Sequence, residues 1–297
     1  MTQLTEISQQ MGQVTTQASA SIVRIEARRR LPATGIIWSA DGLILTANHI
    51  IQREEEIPIG LDNGRTFSAK LIGRDPTTDL ALLQADATDL APLTEANKLE
   101  MSVGNLVLAL GRPGHTIQAT LGIISALGAG WRTGGGGLID RYIQTDVTMY
   151  PGFSGGPLID AAGALIGLNS SALAHGVSLT IPTATLARIA DTLRTHGRIR
   201  RGYLGVSTQR VHLPDAVREA VGQKRGLLIV SVENDTPASA AGLSMGDTIV
   251  SVAGSPVQNH DDLLTQLSGD RVGTAVAVQY LRGGALYTAD VTVGERP

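Results

Sequence analysis

The 297-residue chain has no cysteine, which excludes a disulfide framework and any thiolate-held metal. It contains no apolar run of about 18 residues, so no helical membrane span is expected. Its N-terminus has no basic segment leading into an apolar one, the pattern of an export signal. As it stands the sequence places the protein in the cytoplasm, or in the periplasm or another extracytoplasmic space if a leader has been removed. The net charge is only −3, which argues against bulk nucleic-acid binding. Dispersed histidines without HExxH spacing give no metal site, and Gly111–Gly114 lacks the Gly-Lys-Ser/Thr ending of a phosphate loop. No cofactor is therefore expected. Aromatics are scarce at 3%, whereas glycine is plentiful with 35 residues and the hydrophobic share is 42%. This is the composition of a globular protein with many tight turns, long enough for two domains. The short arginine clusters Arg28-Arg29-Arg30 and Arg198, Arg200, Arg201 read as solvated surface or linker.

Leu4, Ile7, Met11, Val14 and Ala18 recur at steps of three and four, predicting an amphipathic helix over 1–20 that packs on the domain after it. From Ser21 to Pro182 about a dozen short strand patterns follow one another, some flanking strong hairpin turns such as Asp41-Gly42 and Asn63-Gly64. Frequent turns between short strands predict closed or sandwiched antiparallel sheets. Gly128–Gly137 reads as a mobile loop, too rich in glycine to pack. Leu186, Ile189, Ala190 and Leu193 predict a helix over 183–196 that closes a domain spanning 21–196. A polar linker, 197–201, leads to a second domain over 202–297 with five strands and three short helices. Asn259 with Asp262 is its clearest helix cap.

The chemistry concentrates in Gly152-Phe153-Ser154-Gly155-Gly156-Pro157-Leu158. A serine between glycines sits on a tight turn whose backbone N–H groups are free to face an oxyanion. A lone hydroxyl is a weak nucleophile at neutral pH and needs a base, itself oriented by a third group. His49, in Thr46-Ala47-Asn48-His49, and Asp79, which opens an aliphatic strand, are the candidates. Asp75 precedes proline and reads as a turn former; Asp89 sits in a polar loop. The order His, Asp, Ser belongs to the chymotrypsin-like double barrel. The string also fits the G-x-S-x-G elbow of α/β-hydrolases. That fold needs its acid and then its histidine after the serine, and His175, His196, His212 and His260 lack such a setting.

With these residues in view, the sequence resembles the HtrA/Deg family of PDZ-containing serine proteases. The matching segments are Leu43–His49, Asp75–Leu83, Ala119–Leu127, Gln144–Leu158 and Val177–Pro182, then Arg201–Val206 and Asp235–Val257. The resemblance implies a mainly β fold, a chymotrypsin-like double six-stranded β-barrel behind an N-terminal helix, followed by an α+β PDZ domain. It implies that Ser154 attacks the scissile carbonyl, that His49 relays its proton and that Asp79 orients His49. The N–H groups of Gly152 and Ser154 would form the oxyanion hole. Asn169, Ser170, Ser171 and Ala172 would border the substrate cleft. Thr148, six residues before the nucleophile, would line the base of the specificity pocket. No acid stands there, so an aliphatic residue is expected before the scissile bond; Asp146 lies too far upstream. Tyr203, Leu204, Gly205 and Val206 would receive a peptide C-terminal carboxylate. The expected partners are unfolded or misfolded proteins and peptide C-termini. A homo-oligomer is also implied, although no aromatic precedes Trp38 to build the family's N-terminal trimer contact. The family usually has asparagine where this sequence has Phe153. That departure motivates an alternative, a catalytically silent holdase on the same scaffold.

Overall fold

Short aliphatic runs separated by turn residues build the first unit, residues 1–199, and a separate unit follows from residue 200. The computed structural model describes residues 3–29, 31–94, 101–174, 176–267 and 271–296; Arg30 and His175 lie outside the described residues. Six strands form the first barrel: β1 (Ile22–Ile25), β2 (Ala33–Ile37), β3 (Leu43–Ala47), β4 (Ile57–Gly60), β5 (Thr66–Asp75) and β6 (Leu80–Ala85). Their hydrogen-bonded order is β1-β2-β3-β6-β5-β4, and Arg24 opposite Gly60 closes the ring. The second half contributes β7 (Leu106–Gly111), β8 (Gln118–Gly128), β9 (Trp131–Arg132), β10 (Leu138–Ile139), β11 (Tyr142–Thr145), β12 (Pro157–Asp160), β13 (Leu165–Ser170) and β14 (Ser178–Pro182). Setting aside the β9–β10 ribbon, these close in the order β7-β8-β11-β14-β13-β12. That is the order of the first barrel repeated.

Strand β3 is buried along its whole length because it is covered on both faces. Ile44 points into the first barrel with Ile25, Ile37 and Leu83. Leu43 and Leu45 point the other way, into a layer with Leu168, Ile181, Leu186 and Leu193 that joins the two barrels. Each fully buried aliphatic residue contributes about 1.5–3 kcal/mol relative to exposure. Helix α2 (Thr183–His196) completes this layer and ends at Gly197, whose left-handed backbone lets its N–H reach the Leu193 carbonyl at 2.8 Å.

Helix α1 (Gln3–Ser19) docks only through its C-terminal half. Val14 and Ala18 pack with Ile22, Leu108 and Leu110, while Leu4 and Ile7 remain exposed. The glycine-rich segment departs from expectation. It forms the β9–β10 ribbon, and Trp131 joins the inter-barrel layer with its ring edge-on to Tyr142 at 5.9 Å. Thr133 Oγ1 donates to Thr77 O at 2.6 Å, and Gly135 and Gly137 lie flat against Thr77. The glycines serve close approach here, so this stretch packs as a strap over the Thr77–Asp79 turn.

The second unit comprises β15 (Gly202–Tyr203), β16 (Val206–His212), α3 (Asp215–Val221), β17 (Arg225–Val232), α4 (Pro237–Ala240), β18 (Thr248–Val252), β19 (Ser255–Pro256), α5 (His260–Leu267), β20 (Ala275–Arg282), β21 (Ala285–Thr292) and β22 (Gly294–Glu295). Its main sheet runs β16-β17-β18-β20-β21, leaving β16 on an edge. Leu227, Ile249, Val278 and Val291 anchor a core of its own. Asn259 Oδ1 accepts from Asp262 N and Asp262 Oδ2 from Asn259 N, the reciprocal cap read from the sequence. No helix of the described residues is long and apolar enough to cross a membrane.

Candidate active site

His49 occupies a single 3₁₀ turn, Asn48–Ile50, directly after β3. Asp79 immediately precedes β6, the strand paired with β3, and takes a left-handed backbone with φ of 58°. Such a conformation costs a non-glycine residue about 1 kcal/mol or more. The preceding turn supports it: buried Asp75 accepts from Thr77 N at 3.0 Å, Thr77 Oγ1 at 2.5 Å and Thr78 Oγ1 at 2.8 Å. Held in this way, Asp79 accepts from His49 N through Oδ1 at 2.9 Å and faces His49 Nδ1 through Oδ2 at 2.8 Å. An ionised carboxylate only accepts, so the proton belongs on Nδ1 and the Nε2 lone pair is left for the cleft. Ser170 Oγ also donates to Asp79 Oδ2.

Ser154 stands on a turn before β12, where Phe153 N bonds to Tyr150 O at 3.0 Å and Gly156 N to Phe153 O at 2.9 Å. Phe153 is fully buried inside the second barrel, so the ring anchors the turn from beneath. Gly155 has φ of 86°, and a Cβ there would come within 2.1 Å of Thr34 O. Only glycine lets the second barrel's turn approach the first barrel's β2 this closely. Thr34 fixes the turn further. Its hydroxyl donates to Gly152 O at 2.7 Å and accepts from Arg112 N at 2.8 Å, while Thr34 O accepts from Thr46 Oγ1 at 2.7 Å. With its carbonyl so engaged, Gly152 N–H makes no hydrogen bond to a described residue, and neither does Ser154 N–H.

The Arg112 guanidinium is also buried, and no carboxylate among the described residues lies within hydrogen-bond distance of it. It donates to Ile22 O at 2.8 Å, His115 O at 2.9 Å and Ser19 O at 3.0 Å. Burial lowers its pKa, and the carbonyl at the C-terminal end of α1 is a favourable place for the cation that remains.

His49, Gly152, Ser154 and Ser171 line one cleft of about 560 Å³. In it, Ser154 Oγ lies 2.9 Å from Ser171 Oγ and accepts weakly from Ser171 N at 3.4 Å; its hydrogen bonds go to Ser171 and none goes to His49. The other predicted cleft residues have different placements. Asn169 is buried and braces the nucleophile turn, donating from Nδ2 to Pro157 O at 2.9 Å while its own carbonyl accepts from Gly155 N. Thr148 is exposed outside the cleft lining, and Ala172 N bonds to Ser170 Oγ at 3.1 Å. Arg28 and Arg29, read from the sequence as solvated surface or linker, are half-buried and exposed respectively, and both line the cleft. Nothing in the sequence around Thr34 or Arg112 marked either residue, because the contacts that tie them to the nucleophile turn and to each other span 118 and 78 positions.

Residues 33–168 match a trypsin-like peptidase domain and residues 202–293 a PDZ domain. An HtrA-type protease, AlgW, solved with a tripeptide, superposes with a TM-score of 0.79 at 31% identity, covering 96% of this chain and 97% of that one. The chain belongs to the HtrA family of serine proteases. A serine endoprotease from Yersinia pestis gives a TM-score of 0.79 at 32% identity, over 96% of this chain and 98% of the other. A probable periplasmic serine endoprotease, DegP-like, from Pseudomonas fulva is 37% identical over 89% of this chain and 56% of its own length. A protein of the same description from Halomonas elongata is 37% identical over 92% and 58%. This HtrA chain thus spans little more than half the length of those curated relatives. Their compartment gives the cytoplasmic expectation no support.

In the PDZ domain of this HtrA protein, Leu204 is buried and its carbonyl accepts from Ala238 N, while Gly205 O accepts from Glu233 N, both at 2.9 Å. Tyr203 OH donates to Glu233, which raises the phenol pKa. Val206 opens β16, whose free edge faces α5. There His260 Nε2 lies 2.9 Å from the Thr208 carbonyl.

Proposed function

We propose that the protein is a serine endopeptidase that cleaves unfolded or misfolded proteins, with His49, Asp79 and Ser154 as its triad. The observation that carries this reading is the 2.8 Å contact between His49 Nδ1 and Asp79, in the cleft that also holds Ser154. Ser154 Oγ exchanges Ser171 for His49 Nε2, gives up its proton and attacks the carbonyl carbon. The N–H groups of Gly152 and Ser154 receive the developing oxyanion. His49 then protonates the leaving amine, and water repeats the sequence on the acyl-enzyme. Substrate pairs as an extended strand along Ser171-Ala172, which selects polypeptides that have lost their fold. A peptide C-terminal carboxylate enters the Tyr203–Val206 loop and adds to the β16 edge. Periplasmic action accords with the names of the relatives.

Ser154→Ala should abolish casein degradation and labelling by a fluorophosphonate, a loss of about 10⁴–10⁶ in turnover. Undiminished activity in that variant rejects the triad. The Ser154–Ser171 contact favours the second reading, a holdase that binds without cleaving. Turnover by the wild-type protein that disappears in Ser154→Ala excludes it.

A further inference from the structure

Two arginines line the candidate catalytic cleft, and among the described residues no aspartate or glutamate lines it. Arg28 Nε is pinned to Leu31 O at 2.5 Å, and Arg29 is exposed. Neither forms an ion pair with a described residue: nearby Glu26 and Glu54 are taken by Arg24 and Arg74. The arginines also lie on a definite side of the site. Gln52 follows His49 by three residues, and its N–H donates to Ala27 O at 3.2 Å, setting Arg28 beside it. A histidine that protonates the leaving amine must face the substrate segment that follows the scissile bond.

From this placement, and resting on the endopeptidase reading above, we infer that Arg28 and Arg29 select substrates with carboxylate side chains just C-terminal to the cleaved bond. An extended peptide advances about 3.3 Å per residue, so the first three residues past that bond run about 10 Å along the cleft that the two arginines line. A guanidinium holds a carboxylate through two parallel charge-assisted hydrogen bonds, and it offers nothing comparable to an amide and repels an ammonium group. The preference acts on the chemistry of the leaving segment and is independent of the residue before the bond.

The test uses amidated peptides, so that capture of a free C-terminus plays no part. An alanine–valine segment is followed by three Glu, three Gln or three Lys residues. For the full-length protein we expect kcat/KM about tenfold higher for the Glu peptide than for the Gln peptide, with the Lys peptide lowest. The spread should shrink at high salt. The Arg28→Glu/Arg29→Glu variant should invert the order. Equal rates for the Glu and Gln peptides overturn the inference while leaving the endopeptidase reading intact. Binding of the same peptides to Ser154→Ala, followed by fluorescence anisotropy, needs no turnover. Ordered binding without any cleavage by the wild type supports the arginine preference and rejects the endopeptidase. Equal binding of the Glu and Gln peptides rejects the preference whichever way cleavage falls.

Discussion

Removing the Thr34 hydroxyl takes away two buried hydrogen bonds at once, the one given to Gly152 O and the one received from Arg112 N. Thr34→Val keeps the shape of the side chain and leaves both groups unsatisfied, at a cost of about 1–3 kcal/mol each. The turn carrying Ser154 then loses its register, and kcat should fall about 10–100-fold with KM within about twofold. Thr34→Ser restores the hydroxyl and should recover most of the rate. A loss in Thr34→Val that serine does not rescue, or one confined to KM, contradicts a positioning role. Residues of this kind explain the limits of reading a site from sequence. The candidates His49, Asp79 and Ser154 could be picked from the sequence because a glycine-flanked serine calls for a base and an acid, and these follow in the His, Asp, Ser order. Thr34 looks like any strand threonine, and Arg112 looks like a surface cation until the fold buries it. Phe153, unusual for its position, is a core residue of the second barrel whose importance lies beneath the loop.

Among the elements, the strands were read well because aliphatic runs and turn residues alternate on a short period, whereas the non-sequential pairings that close each barrel, β3 with β6 and β1 with β4 in the first, carry no local signal. The Gly128–Gly137 segment was misread as mobile for a physical reason. A glycine run permits either mobility or unusually close contact, and the deciding partner, Thr77, is distant in sequence. Helix α2 offers a pH test. Burial alone would raise the Asp140 pKa, but hydrogen bonds from Thr185 and Arg188 outweigh it and hold the carboxyl below its ordinary value. A lowered carboxyl pKa adds stability above the unfolded value near 4, and that stability is lost as pH falls through the folded value. Asp140→Asn should therefore destabilise by about 1 kcal/mol at neutral pH, with the difference from wild type shrinking as pH falls below about 4 in urea melts. In the PDZ domain, Gly205 has φ of 81°, and a Cβ there would lie 2.3 Å from Thr236. Gly205→Val should abolish binding of peptides with free C-termini, read by anisotropy. Binding at wild-type affinity would remove the Tyr203–Val206 loop from the recognition site.

At the scale of the whole molecule, the two units have separate hydrophobic cores, one set inside and between the barrels and one centred on Ile249 and Val278. Scanning calorimetry should resolve two transitions, with Gly205→Val lowering only one of them and Asp140→Asn only the other. A single transition shifted by both variants would show that the units melt as one. Size and the break in composition near residue 200 made this division visible early, whereas the joining of the barrels depends on which face of β3 each leucine takes. That joining has a consequence for how the protein is made. His49 and Asp79 belong to the half synthesised first, whereas Ser154 is encoded in the next, on a turn that Thr34 of the first half fixes through Gly152 O. On the proposed triad, a nascent polypeptide with only the first barrel emerged holds the base and its carboxylate but lacks the nucleophile, so cleavage waits for the second barrel to fold against the first.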